Sequence, residues 1–308
     1  MLTTMNHRIK QQLMIRSQAT AKLKLLTVLA LSLAFIFTSP ATFSQSETKR
    51  ELVPVLGKLY RFINNHHAGI VYVTDDGIIV GDPINKEAAQ WLKTELDNRF
   101  GQRVKYVFYS HHHADHASGG EVFADDGAVV IAHRNAFDHI KTFNIPTALP
   151  EVTFDEELVL QLGGEKVHLK YLGVNHSDDM IVAHFPKEQA VFAVDFVSVE
   201  RLPYRNLSGG VFPDWYLSID RLTRLPFTYL VPGHGKVGIH HDAVEHAQYL
   251  RELENRVARA DKAGLTLEEM QNTLKMPRYA DWQNYENWLP QNIAGIYRML
   301  KERAAEAN

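Results

Sequence analysis

The stretch "SHHHADHASGG", Ser110 to Gly120, carries four histidines and one aspartate in six consecutive positions, in a chain with no cysteine. Imidazole nitrogen and carboxylate oxygen are donors that a borderline divalent cation such as zinc accepts, usually with one position left open for water. A loose histidine tract needs no partners elsewhere, whereas a built site needs further ligands delivered at the ends of structural elements. Three such residues follow downstream: His176 in "GVNHSDD", Asp195 closing "AVFAVD", and His234 in "VPGHG". Each comes after a strand-like run, where loops gather and sites are commonly built. His111 and His113 are two apart, so in an extended loop they point the same way and can chelate one ion. Asp115 and His116 are adjacent and can turn toward a second ion beside the first. Two cations about 3.5–4 Å apart admit a bridging hydroxide and a bridging carboxylate. Asp195 is the carboxylate for that place.

The elements that must position these groups are legible on both sides of the cluster. "KLYRFI" and "GIVYVTDDGIIVGD" read as strands, with Asp76-Gly77 as a hairpin turn. Asn85 caps a helix whose Ala88, Leu92, Leu96 and Phe100 form one stripe, and Gly101 ends it. "VKYVFYS" is a buried strand that stops where the histidines begin, and a short helix is expected to open near Ser118. Strand "AVVIAH" and helix "RNAFDHIKTF" follow. The second half repeats the order, with "EELVLQL" and "KVHLKYL" joined at Gly163-Gly164, then "MIVAHF" and "AVFAVD" joined around Pro186. After a loop (196–212), a helix near Trp215–Leu225 leads to the strand "TYLVPGHG". Asp242-x-x-Glu245 and Thr266-x-x-Glu269 read as capping boxes. The first opens a long helix with Val244, Ala247, Leu250 and Val257 on one side.

Composition bounds what such a chain does. Its 308 residues, 45% hydrophobic and 22% charged, are those of a soluble globular protein. A net charge of −3 gives no polyanion-binding signature, so nucleic acid is not an expected partner. Residues 1–24 carry Arg8, Lys10, Arg16, Lys22 and Lys24, with no acid before Glu47. The apolar run Leu25 to Thr38 is too short to span a bilayer comfortably, and Thr42 and Ser44 suit a cleavage site. The expectation is a signal peptide over 1–44, cut after Ser44 or after Ala41, with translation from Met1 or Met14. The mature domain, 45–308, would be periplasmic or secreted, touching membrane only through the signal segment before cleavage. No low-complexity linker interrupts it, so one domain with a helical C-terminal extension over about 242–308 is expected. It is large enough to bury a core without disulfides, and its metal sites must use nitrogen and oxygen alone.

His111-x-His113-x-Asp115-His116, followed in order by His176, Asp195 and His234, resembles the metallo-β-lactamase-fold hydrolase superfamily over about residues 56–240. The resemblance implies an αββα sandwich of the α/β class, with two zinc ions at one edge of its sheets. It implies that His111, His113 and His176 hold the first zinc, Asp115, His116 and His234 the second, and that Asp195 bridges. Asp82, closing "IIVGD", matches a family aspartate that supports the site from behind. A hydroxide shared by the cations would attack a carbonyl or phosphoryl centre of a small-molecule substrate, oriented by Asp115. One iron is the alternative cofactor, since relatives that oxidise persulfides use a similar motif. The best-known β-lactamase subclass has cysteine at the place of Asp195 and a carboxylate-binding lysine at the place of Ser198. Those departures shift the expectation to amide, lactone, thioester, phosphodiester and other ester-type bonds, with β-lactams retained among them.

Arg201 or Arg205 then offers an anion anchor, and His66 and His67 are expected to line the pocket from a turn at its rim. His112 reads as structural and His168 as solvated, while His184 is packed or edge-exposed. His133 and His139 belong to a surface helix region, and His240, His241 and His246 begin or ride the long helix. Tyr279, Trp282, Tyr285 and Trp288 read as the packing face of the C-terminal helices.

Overall fold

The structure, a computed structural model, describes residues 48–306; the expected signal segment, 1–44, lies outside the described residues. Strands β1 (Arg50–Leu56), β2 (Leu59–Asn64), β3 (His67–Thr74) and β4 (Gly77–Gly81) form an antiparallel meander. Strands β5 (Val104–Phe108), β6 (Val129–His133) and β7 (Val152–Phe154) extend it in parallel, giving a seven-stranded sheet in chain order. Parallel neighbours need crossovers, and helix α1 (Lys86–Phe100) supplies the first. Asn85 Oδ1 caps it by accepting from Ala88 N–H at 2.8 Å, and Gly101 closes it in the left-handed region at φ 62°. Two one-turn helices, α2 (Ala114–Ala117) and α3 (Glu121–Ala124), and helix α4 (Arg134–Phe143) complete this half.

The second sheet has six strands, ordered β13-β12-β11-β10-β9-β8. These are β8 (Glu157–Leu162), β9 (Glu165–Tyr171), β10 (Ile181–Phe185), β11 (Ala190–Phe192), β12 (Tyr229–Val231) and β13 (Gly238–Ile239). Helices α5 (Asp214–Leu222), α6 (His240–Lys262), α7 (Leu267–Thr273) and α8 (Tyr285–Glu306) come from this half.

Alternation along the strands sets the layers. On the first sheet Phe62, Val71, Val80 and Val107 pack with Ala88, Leu92 and Leu96 of α1. Their neighbours Leu59, Ile70, Tyr72, Ile79 and Phe108 face the other way and pack with Val167, Leu169, Phe185 and Phe192 of the second sheet. Ile219 of α5, Leu250 and Leu253 of α6 and Ile293 of α8 belong to that same continuous core. The result is helix, sheet, sheet, helix, as the sequence resemblance implies. Among the described residues no helix is long and apolar enough to cross a membrane.

Local departures from the sequence expectations all have a hydrogen-bonding or packing cause. The short helix expected near Ser118 opens at Glu121, and a second single turn, Ala114–Ala117, precedes it, closed by the amides of His116 and Ala117 bonding back to His113 O. The long helix starts at His240, with Asp242 accepting from Ile239 N–H at 2.7 Å as its third residue, while Glu245 pairs with Arg278. His133 is not a surface residue: it is buried, stacked on Tyr171, with Nε2 bonded to Asp155 O. His246 is fully buried against Trp282. His184 is packed, with Nε2 on Pro226 O, and His168 pairs with Glu157 at 2.7 Å on a half-exposed face.

Candidate metal centre

The site begins with a strand-end coincidence. Gly81 and Phe108 are partners in parallel strands, so Asp82 and Ser110 emerge side by side at the same sheet edge. Asp82, at φ 55°, accepts from Ser110 N–H at 2.7 Å, from Ser110 Oγ at 2.7 Å and from His116 Nδ1 at 2.9 Å. Gly69 lets β3 approach, since a Cβ there would lie 2.3 Å from Asp82 O. With Asp82 Oδ2 accepting from Nδ1, His116 turns its Nε2 inward. Ser110 Oγ gives its hydrogen to Asp82 and accepts from His111 Nδ1 at 3.0 Å, which leaves His111 Nε2 inward as well. His234 Nδ1 donates to His66 O at 2.9 Å, with the same consequence. Fixing the outer nitrogen in this way orients a metal-ligating imidazole.

Those inner atoms meet around Asp195. Its Oδ2 lies 3.5 Å from His111 Nε2, 3.4 Å from His116 Nε2 and 3.8 Å from His176 Nε2. Its Oδ1 lies 3.1 Å from His234 Nε2. His176 Nε2 is 3.2 Å from His113 Nδ1, and His116 Nε2 is 3.4 Å from His234 Nε2. Asp195 does not close its strand as the sequence suggested: β11 stops at Phe192, and Asp195 stands on the following loop at φ 37°. Among the described residues three donor groups result, His111-His113-His176-Asp195, His116-Asp195-His234 and His67-Asp115-His234, each with its donor atoms within 4.8 Å of one another.

The electrostatics suit a cation. His111 Nε2 is buried with no hydrogen-bond partner among the described residues, a costly condition that a coordinated ion would relieve. Burial and the neighbouring imidazoles hold His111 well below its ordinary range, and burial with His176 brings His113 down to about 4. These rings are neutral, ligand-ready bases at physiological pH. His116 goes the other way: burial opposes its charge, but Asp195 and Asp82 on either side push it well up. Positive charge is therefore favoured between those carboxylates. Asp115, at the half-exposed rim, is brought down to about 2, its desolvation outweighed by the bond from His67 and by His116.

All seven ligands expected from the sequence thus converge, with Asp82 behind them. His66 and His67 both line the cavity above the centre, but His67 goes further than a rim residue. Its Nε2 is 3.3 Å from Asp115 Oδ2 and its ring 4.9 Å from that of His234. Its position as the first residue of β3 was the available signal. Arg201 lines the cavity; Arg205 does not, because it turns out at φ 46° and stacks on Tyr204. His112 faces away, bonded to Asp179 at 2.9 Å and packed on His139 and Phe143. Trp288 is not purely a packing residue, since it lines the same cavity with Gln283 and Asn284. Tyr279, Trp282 and Tyr285 are buried as expected.

Residues 66–234 match the family model described as the metallo-beta-lactamase superfamily. The chain belongs to that superfamily. A solved metallo-beta-lactamase from Pontibacter korlensis superposes with a TM-score of 0.59 at 22% identity, covering 65% of this chain and 99% of that one, and so shares the fold. The metallo-beta-lactamase type 2 of Elizabethkingia meningoseptica is 27% identical over 217 residues, 67% of this chain and 86% of its own length. The 2,4-dinitroanisole O-demethylase subunit alpha of Nocardioides sp. (strain JS1661) is 25% identical over 185 residues, 59% of this chain. The present chain spans only 56% of that subunit's length. Within the superfamily match, every donor named above lies between residues 66 and 234, whereas Gln283, Asn284 and Trp288 lie beyond it.

Proposed function

We propose that the protein is an exported dinuclear zinc hydrolase acting on an amide, lactone or ester-type bond of a small molecule. The observation that carries this reading is the meeting of two donor sets at one carboxylate, Asp195. His111, His113 and His176 would hold one cation, Asp115, His116 and His234 the other, with Asp195 between them. Two divalent cations so held supply Lewis acidity toward the attacked group and acidify water to near neutrality. Asp115, ionised and steadied by His67, is the catalytic residue: it orients the attacking water and passes its proton onward. The neutral rings of His111 and His113 keep the centre loaded at working pH, and Asp82 fixes the direction of His116. The 980 Å³ cavity above the centre, half-open to solvent, takes the substrate. The type 2 metallo-beta-lactamase relative supports β-lactams as one candidate class, although Ser198 here is buried and bonded to Arg201 O rather than offering a cation. Residues 1–44 are read as the signal peptide that exports the 45–308 domain. A single-iron persulfide oxidoreductase would leave the donors Asp115, His116 and His234 without a task.

The test is a hydrolase panel on zinc-loaded mature protein: a chromogenic cephalosporin, a lactone, a thioester and bis-p-nitrophenyl phosphate, with metal analysis alongside. Two zincs per chain and turnover of one class, lost in Asp115→Ala, are expected. One iron per chain, or an Asp115→Ala variant at full rate, refutes the assignment.

A further inference from the structure

His67 is not among the seven expected ligands, yet it is placed as one. It opens β3, paired with Asn64 across the tight β2–β3 turn. Two bonds lace this corner to the loop that delivers His234: Ala68 N–H donates to Gly233 O at 2.8 Å, and His234 Nδ1 to His66 O at 2.9 Å. The His67 ring is thereby held beside that of His234, with centroids 4.9 Å apart. Its Nε2 lies 3.3 Å from Asp115 Oδ2, and that oxygen lies 3.8 Å from His234 Nε2. Donors on one tetrahedral zinc, each about 2.0–2.2 Å from it, sit about 3.3–3.6 Å apart. Three separate segments meet here: a strand start, a one-turn helix and a loop.

His234 links this outer group to the inner one. Its Nδ1 is spent on His66 O, so Nε2 alone serves both. That nitrogen lies 3.4 Å from His116 Nε2 and 3.1 Å from Asp195 Oδ1 on the inner side. The rings of His67 and His116 are 6.4 Å apart. One nitrogen lone pair serves one ion at a time. His67 and Asp115 also wall a second hollow, of 560 Å³, whose lining includes Glu87 and Glu121.

We propose that His67 is a metal ligand, and that His67, Asp115 and His234 form an outer station for the second divalent cation of the centre. The proposal rests on the proposed function for there being a second cation, and not for hydrolysis. In passing from the inner to the outer station the ion keeps Asp115 and His234 and exchanges His116 and Asp195 for His67. At the inner station His67 Nε2 donates to Asp115; at the outer one it offers its lone pair, with the ring hydrogen on Nδ1. A cation arriving through the second hollow meets His67 and Asp115 without crossing the cavity that takes the substrate.

Cadmium-113 NMR of the cadmium-loaded protein tests this, with zinc affinities from chelator competition alongside. Wild type is set against His67→Gln, His116→Gln and the double variant. Glutamine at 67 keeps an N–H for Asp115 but has no imidazole nitrogen. The second cadmium of wild type should couple to the ring protons of both His67 and His234, and the first of these couplings should vanish in His67→Gln. His116→Gln should still hold two cations, the second on the outer donors. Adding His67→Gln to it should weaken that cation by a further ten- to a hundredfold, about what losing even an outer partner of a ligand costs. A double variant that binds the second cation as tightly as His116→Gln alone, or the absence of coupling to His67 in both wild type and His116→Gln, overturns the proposal. Two bound ions under either result leave the hydrolase reading standing. Coupling to His67 in a protein that cleaves none of the panel substrates sinks the hydrolase reading and keeps the station. Should His116→Gln fail to fold, His67→Gln decides: a second zinc held as tightly as in wild type would show that His67 only steadies Asp115.

Discussion

Replacing Asp82 by asparagine isolates the electrostatic work of one fully buried carboxylate. Asparagine has the same shape and tolerates the φ of 55° found there. It cannot accept at both ends. Oδ1 receives Ser110 N–H, while Oδ2 receives both Ser110 Oγ and His116 Nδ1. If the amide oxygen stays with Ser110 N–H, the NH2 group confronts His116 Nδ1 and forces its hydrogen onto Nε2. The inward lone pair is then gone. If the amide turns over, the NH2 group confronts Ser110 N–H, leaving two donors face to face in a buried place. Loss of such an outer partner weakens a metal site about 10- to 100-fold, which is about 1.4–2.7 kcal/mol. Competition with a graded chelator series reads this directly: the cation assigned to His116 should weaken by that factor, with the His111-His113-His176 cation less affected. Metal-free Asp82→Asn should also melt lower, by about 1–3 kcal/mol for the donor left unpaired. Two zinc affinities unchanged from wild type would show that Asp82 does not set the direction of His116.

Two further perturbations probe the frame around the centre. His246 is buried and held down to about 3 by desolvation, whereas an unfolded chain titrates it near 6.5. As pH falls below about 6.5 the unfolded state takes the proton first, so stability drops, by about 2 kcal/mol between pH 6.5 and 5. Denaturant melts of His246→Phe should lose that share of the acid sensitivity, and a slope against pH identical to wild type would contradict it. Gly69→Ala would place a methyl 2.3 Å from Asp82 O and 2.6 Å from Gly81 O, both rigid backbone atoms. Separating β3 from β4 should cost about 1–3 kcal/mol, and an unshifted denaturant midpoint would mean that the edge is softer than its packing implies.

The centre was legible because a ligand set constrains sequence more tightly than a core does. His111, His113, Asp115 and His116 share one loop and short helix, and the remaining donors had to follow elements that reach the same edge. Apolar alternation gave those elements, so His176 and His234 could be placed without knowing the sheet order. Asp195 was placed beside the other donors on a wrong local picture, since its strand ends earlier and a left-handed backbone carries it onto the following loop. Strand ends are set by which partner strand is still there to pair, and that is not written in the local pattern.

Arg61, buried on the cavity wall, was missed although its signal was present: Leu59, Arg61 and Ile63 share one phase of a strand, and the middle one breaks the apolar rule. A charge at an inward position needs a partner, here Pro232 O, and pairing is a tertiary fact that periodicity cannot supply. The same limit hid the C-terminal wall. Trp288 belongs to an aromatic stripe whose other members are simply packed, and only the bridge between Arg201 and Gln283 brings it over the cavity. The division of labour follows from this. The donors sit on loops and a short helix that follow strands within the family match, whereas the cavity wall also draws on a buried strand position, Arg61, and on the segment carrying Gln283, Asn284 and Trp288 beyond the match. That wall is therefore the less readable half, because it depends on which loops the C-terminal helices brace.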